Sequence, residues 1–169
     1  MMEFLAWVEH LEFSQWVISS PSIWAYATIL TAHTTGMMIV AGICAIINLR
    51  LLGMSPSTPI KPLERLYPLM WAGFWLNLAT GTALLMADAT TKFRNWDFGV
   101  KMVFVIAGVM VVKRIRKRVF AAPELDNGPL PAGAKGLAWA SMICWVGAIT
   151  AGRLLAYVGP VSGVPGLKN

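Results

Sequence analysis

The fold is decided by residues 23–49, IWAYATILTAHTTGMMIVAGICAIINL, which run for 27 positions without a charged side chain. A helix needs about 20 apolar residues to cross the hydrocarbon of a bilayer. Because backbone groups inside a bilayer must be satisfied within the segment, this stretch is predicted to be a transmembrane helix. It also contains His33, and a titratable side chain at membrane depth costs free energy, so His33 marks a candidate functional site.

The composition extends this prediction to the whole chain. Of 169 residues, 57% are hydrophobic and only 13% are charged, whereas a soluble domain carries about 25% charged residues. The chain is therefore predicted to be an all-α integral membrane protein. Its net charge of +6 does not indicate a nucleic-acid partner, because the basic residues lie at the ends of apolar runs, where membrane topology places them.

Four stretches are predicted to span the membrane: residues 23–49, 66–87, 96–115 and 136–158. Lys101 interrupts the third and Arg153 the fourth. Residues 1–20 mix aromatic side chains with three glutamates and are predicted to form an amphipathic helix lying at the interface. The predicted organisation is thus an interfacial helix (1–20), a four-helix transmembrane domain (21–160) and a tail (161–169).

The distribution of lysine and arginine predicts the orientation. The first and third loops carry nine of them: Arg50, Lys61, Arg65, Lys113, Arg114, Arg116, Lys117, Arg118 and Lys135. The opposite side has only Lys92, Arg94 and Lys168. By the positive-inside rule, the two basic loops are predicted to be cytoplasmic and both termini to lie on the opposite side of the membrane. The run at 113–118 is an anchor that could also contact anionic lipid.

The polar residues within the spans suggest a cofactor site. His33 lies ten residues into the first span, roughly 15 Å deep at about 1.5 Å per residue. Lys101 and Arg153 fall in the same outer half, because successive spans alternate in direction. A deep histidine below two cations would suit haem b, with imidazole on the iron and the cations near the propionates. Gly36, one turn from His33, would let a flat macrocycle lie against the backbone.

The predicted cofactor-binding residues are therefore His33, Gly36, Lys101 and Arg153, with His33 as the metal ligand. The spans contain no second histidine. A haem would be five-coordinate, or would take its sixth ligand from a methionine, Lys101, His10 or a partner protein.

Copper is an alternative occupant for the same histidine. Soft thioether ligands select copper, and three methionines could supply them: Met37, Met38 and Met86.

A histidine within a span can also be explained without a cofactor. His33 could hydrogen-bond across to another helix or to its neighbours through Thr34, Thr35 or Asn77. Asp88, at the outer end of the second span, could pair with Lys101. The sequence has no nucleophile–base arrangement, glycine-rich phosphate loop or paired catalytic carboxylates, so no enzymatic reaction is assigned.

Several strings resemble an uncharacterised bacterial family of four-helix inner-membrane proteins. They are SIWAY at 22–26, His33-x-x-Gly36, NLRLLG at 48–53 and AGRLLAY at 151–157. The resemblance covers residues 13–158. The family carries a glutamate about one turn before the histidine, where this chain has Leu30 and Thr31, and an aspartate where it has Asn48.

A more distant similarity rests on three positions, His33, Gly36 and Lys101. Their pattern is similar to the four-helix protoporphyrinogen oxidase family and the copper-resistance D family, both of which have a histidine followed by glycine in an early helix and a lysine opening a later one. The first family implies haem b or porphyrin chemistry, and the second implies copper handling.

The leading expectation is a membrane haem b protein in electron transfer, between quinone and an outward-facing redox partner, within a larger complex. Its expected partners are the lipid bilayer and other membrane or periplasmic redox subunits. The competing expectations are a non-catalytic accessory or anchor subunit of a membrane complex and a copper-handling membrane protein.

Overall fold

A computed structural model describes residues 2–20, 23–122, 130–155 and 157. Its elements are α1 (Met2–Glu9), α2 (Glu12–Ser19), α3 (Ile23–Leu52), a 3₁₀ helix (Lys61–Leu66), α4 (Tyr67–Ala87), α5 (Ala89–Arg94), α6 (Trp96–Ile115), a π-helical turn (Arg116–Phe120) and α7 (Ala134–Leu154). The described residues contain no strand, which confirms the all-α class.

Three of the described helical segments are long and apolar enough to cross a membrane: Trp24–Leu52, Lys61–Ala87 and Ala134–Leu154. The remaining long helix, α6, has the predicted bounds of 96–115 but carries charges at Asp97 and Lys101 and again in its last turn. The predicted tail, 161–169, and positions 156 and 158 of the predicted fourth span lie outside the described residues.

The long helices form an open row rather than a closed bundle. α3 packs along α4, α7 packs along both α3 and α6, and α4 and α6 do not pack closely against each other. Large apolar side chains such as Val103, Ile143 and Val146 have 60–67% of their surface exposed on the outside of this row. An apolar exterior of this kind is what a bilayer covers.

The hydrophobic core lies in one half of the row, the half that contains the predicted cytoplasmic loops. It includes Val40, Ile47 and Leu51 of α3, with Tyr67 of α4 and Ile115 of α6. The other half, which begins near His33, has few buried side chains. The main cluster of buried apolar side chains therefore lies at the basic end.

A buried hydrogen bond joins two of the packed helices. The Asn48 Nδ2 amide donates to Ser141 Oγ at 2.9 Å, and both side chains are fully buried. This hydrogen bond within the apolar interface fixes the register of α3 against α7, while the buried Asn48 Oδ1 accepts no hydrogen bond from the described residues.

The N-terminal segment is two short helices, α1 and α2, rather than the one predicted. They break at His10–Leu11, and Ser14 Oγ donates to the Val8 carbonyl at 2.7 Å across the break. The Glu9 carboxylate accepts from the backbone N–H and hydroxyl of Thr90, at 2.6 and 2.7 Å. These bonds fasten α1 to α5 and place α1 and α2 at the end of the row opposite the basic loops.

Candidate functional site

A half-open cavity of about 500 Å³ lies at the end of the row opposite the basic loops. Its walls come from six elements, α2 to α7, and include Ile18, Tyr26, Leu30, His33, Gly81, Leu84, Leu85, Ala87, Asp88, Lys92, Phe98, Lys101, Gly152 and Leu155. Ligand pockets in proteins have volumes of about 300–1,000 Å³, mostly apolar walls and a few placed polar groups. This cavity has that character, and His33 and Lys101 are among its polar groups.

His33 is held by α4 through one of its ring nitrogens. Nδ1 lies 3.0 Å from the Asn77 carbonyl oxygen and 3.2 Å from Thr80 Oγ1. The Asn77 side-chain amide donates to the His33 carbonyl at 2.7 Å. The ring and its backbone are therefore both tied to one turn of α4, so the imidazole has little freedom to rotate.

The hydrogen-bond network assigns the tautomer of His33. A backbone carbonyl can only accept, so the 3.0 Å contact with Asn77 needs the proton on Nδ1, whereas the 3.3 Å approach of Asn77 Nδ2 to Nδ1 would need the other tautomer. We assign the proton to Nδ1, because the carbonyl contact is shorter and Asn77 Nδ2 already donates to the His33 carbonyl. The Nε2 lone pair is then left unprotonated, and the described polar contacts of the ring all fall on Nδ1. A histidine that binds a metal has this arrangement, with one N–H donated to a carbonyl and the other nitrogen facing the ligand.

Gly81 lets the imidazole lie directly against α4. A Cβ atom at this position would be 2.9 Å from His33 Cε1 and 3.3 Å from Nδ1. Any larger residue would push the ring toward the cavity. The sequence contains no local signal for this role, because it depends on how α3 and α4 pack.

Lys101, one of the residues proposed for the cofactor site, lines the same cavity from α6. The end of its side chain lies beside Gly152 of α7, where a Cβ would be 3.4 Å from Lys101 Cε and 3.5 Å from Nζ. The missing side chain at Gly152 therefore makes room for the end of the lysine side chain.

Arg153 is not brought to the cavity. Its guanidinium lies over the Tyr157 ring, 5.4 Å from the centroid, and the residue is exposed. The adjacent Gly152 and Leu155 line the cavity instead. The helical turn at the end of α7 thus directs Arg153 away from the site that the sequence predicted for it.

The second cation at the cavity is Lys92, which was not among the residues predicted from the sequence. It forms an ion pair with Asp88 at 3.2 Å, four residues earlier. The predicted pairing of Asp88 with Lys101 is thus replaced by a local pair. The i, i+4 spacing of Asp88 and Lys92 was visible in the sequence, and it favours this pair.

α4 fills the space beside Gly36. No room remains there for the macrocycle that the sequence analysis placed against this residue. A Cβ at Gly36 would lie 2.7 Å from the Gly73 carbonyl oxygen and 2.8 Å from the Asn77 backbone nitrogen. The missing side chain allows α3 and α4 to approach closely, as small residues do in membrane helix pairs. Gly36 therefore supports the site indirectly, by setting Asn77 against His33.

The three methionines proposed as copper ligands do not line the cavity. Met37 packs against the hydrophobic core, and Met38 has 69% of its surface exposed. In the described part of the chain, no group of three or more His, Cys, Asp or Glu side chains is positioned to hold a metal ion. A copper site would therefore have to be built without the predicted thioethers.

The fold and the cavity define an all-helical protein with membrane-length helices and a histidine in the wall of a half-open cavity. The chain matches no family model, no curated protein and no solved structure.

Proposed function

We propose that this protein is a multi-pass inner-membrane protein that binds one haem b through His33 and takes part in electron transfer within a larger redox complex. The observation that carries the proposal is the orientation of His33. Its Nδ1 proton is given to a backbone carbonyl, and its other nitrogen belongs to a ring that lines a cavity of about 500 Å³.

The remaining cavity residues suit an amphipathic group with anionic edges. Leucine, phenylalanine and glycine residues form apolar walls for a macrocycle. Lys101 provides a cation at the wall, where it would neutralise a propionate. Lys92 lines the cavity as well. In this proposal it replaces Arg153 as the second cation near the propionates.

Haem would supply the one-electron chemistry, and the chain would supply position and environment. The bonds to Asn77 and Thr80 fix the imidazole plane, and Ile18 of α2 adds an apolar side chain to the cavity wall. His10 does not line the cavity, so it is not placed to serve as the second ligand that the sequence also suggested.

We propose that α6 also spans the membrane, which gives four spans in all. α6 has 20 residues, about 30 Å at 1.5 Å per residue, and it packs along α7. With the basic loops inside, the cavity faces outward and both termini are external. A quinone or an external redox subunit would then exchange electrons on that side, in keeping with the resemblance to four-helix families.

A second candidate function is an accessory or anchor subunit of a membrane complex. The observation that favours it is the exposed aromatic surface of α1 and α2. Phe4, Trp7, Phe13 and Trp16 each have 47–62% of their surface exposed. Aromatic side chains of this kind are enriched at protein interfaces and at membrane surfaces.

Titration with haemin tests the main proposal. The purified protein in lipid nanodiscs is expected to develop a Soret band that saturates at one haem per chain, with bound iron and no copper by metal analysis. A protein that stays colourless and takes up one copper would support the copper alternative. A protein that binds neither, but co-purifies with other subunits, would support the anchor function.

Lys101→Met is expected to weaken haem binding about fivefold, because one charged interaction worth about 1 kcal/mol is lost. Arg153→Met is the matched control, since it removes the same charge from a position outside the cavity, and its haem affinity should equal that of the wild type. Equal losses in both variants would show that general charge, rather than the geometry of the cavity, governs binding. The measurement is the dissociation constant from the same haemin titration.

A further inference from the structure

The basic end of the protein contains a second cavity, of about 430 Å³, between α4 and the end of α6. Its walls are formed by Glu64, Tyr67, Trp71, Val112, Lys113, Arg116, Lys117, Phe120 and Ala121. It is distinct from the His33 cavity, because α4 contributes its first turns here and its last turns there. Ten residues separate Trp71 from Gly81, roughly 15 Å along the helix.

The charge of this second cavity is positive. Lys113, Arg116 and Lys117 follow i, i+3, i+4 spacing and therefore share one face of the helix. Arg116 forms an ion pair with Glu64 at 3.5 Å, so the two lysines supply the net charge. The neighbouring Arg114 and Arg118 do not line the cavity.

Aromatic rings form the floor beneath these cations. The Lys113 ammonium lies 5.8 Å from the Trp71 ring centroid, and the Arg116 guanidinium lies 5.4 Å from the Tyr67 ring centroid. Contacts with the faces of the rings hold both cations at the edge of the apolar region. Tryptophan and tyrosine in this position are typical of the headgroup level of a membrane.

The floor continues into apolar surface. Trp71 and Val112 also line a space of only about 10 Å³, together with Val40, Met70, Phe74, Val109 and Trp145. A space of this size holds about one water molecule, so an acyl chain can lie only outside it, on the apolar outer surface, where Trp75 of α4 and Met110 of α6 are 61% and 47% exposed. The surface is therefore cationic at its end and apolar along its length, and the two regions meet at Trp71.

The geometry points to a binding site for one anionic phospholipid at the basic end of α4 and α6, with its phosphate near Lys113 and Lys117 and its acyl chains on the apolar outer surface of the two helices. Charge complementarity selects an anionic headgroup, and the aromatic floor with the apolar outer surface beside it favours a lipid over a free phosphate. The site does not depend on what His33 binds.

Native mass spectrometry of the full chain, released from nanodiscs with equal phosphatidylglycerol and phosphatidylcholine of identical acyl chains, tests this site. The wild type is expected to retain one phosphatidylglycerol in preference to phosphatidylcholine. In Lys113→Gln/Lys117→Gln this preference should fall about tenfold. Arg114→Gln/Arg118→Gln is the matched control, since it loses the same charge from the other face and should keep the preference within about twofold.

Three results would overturn the proposal: equal retention of the two lipids by the wild type, equal losses in the two double variants, or complete displacement of the lipid by glycerol phosphate or inorganic phosphate. The last result would assign the cations to a small phosphate compound. Circular dichroism and the thermal midpoint of each variant verify that the fold is intact. Tyr67→Phe, which keeps the aromatic floor, should retain the preference if a double variant proves unstable.

Discussion

Replacing His33 with alanine is expected to remove the Soret band of the haem-loaded protein, with a loss of affinity of more than about 100-fold. Removing a side chain that only orients a metal ligand lowers the metal affinity about 10–100-fold. His33→Ala removes the proposed ligand itself, so the loss should be larger. The chain contains two histidines, which makes His10→Ala the natural control. His10 lies at the break between α1 and α2, outside the cavity, so that variant should bind haem like the wild type.

His33→Asn separates ligation from helix packing. An asparagine amide can donate to the Asn77 carbonyl, as Nδ1 does now at 3.0 Å, but it offers no imidazole nitrogen to a metal. We expect this variant to keep the thermal midpoint of the wild type and to lose haem. If His33→Asn or His33→Ala retained haem with wild-type affinity, the assignment of His33 as ligand would be wrong.

Gly36→Leu is expected to destabilise the protein by about 3 kcal/mol or more, because a side chain there would collide with the α4 backbone at Gly73 and Asn77. Overpacking costs about 1–3 kcal/mol where flexible side chains can move aside. The cost at Gly36 should lie at or above the top of this range, because backbone atoms cannot move aside. The measurement is the unfolding midpoint of the purified protein in detergent.

The matched control for Gly36→Leu is Gly42→Leu in the same helix. A Cβ at Gly42 meets nothing within 4 Å, so leucine there should leave the unfolding midpoint nearly unchanged. Equal midpoints for the two variants would show that α3 and α4 do not approach each other at Gly36 as the structure has them.

Much of the fold could be predicted because a bilayer imposes a simple constraint on sequence. A charge-free run of membrane length has to form a helix, and α3 and α4 follow from that rule. The break in the N-terminal segment was harder to predict. It depends on Ser14 bonding back to Val8 and on Glu9 meeting Thr90, and the second of these contacts joins residues 81 positions apart.

The candidate site was only partly predictable for a similar reason. The depth of His33 and the side of Lys101 follow from counting residues along a helix. The rotation of each helix about its own axis cannot be predicted in this way. Apolar residues cover all sides of α3, α4 and α6, so the sequence marks no single face for burial. Arg153 therefore does not line the cavity and Gly36 packs against α4, whereas Asn77, named among the candidate partners of His33, does bond to it.

The most direct test of the central claim is pulsed electron paramagnetic resonance of the ferric haem complex of His10→Ala, grown with histidine labelled by ¹⁵N in the imidazole ring. The only histidine left in this variant is His33. The proposal predicts hyperfine coupling from one directly coordinated ¹⁵N imidazole nitrogen. A haem-loaded protein whose spectrum shows no coordinated ¹⁵N would contradict it.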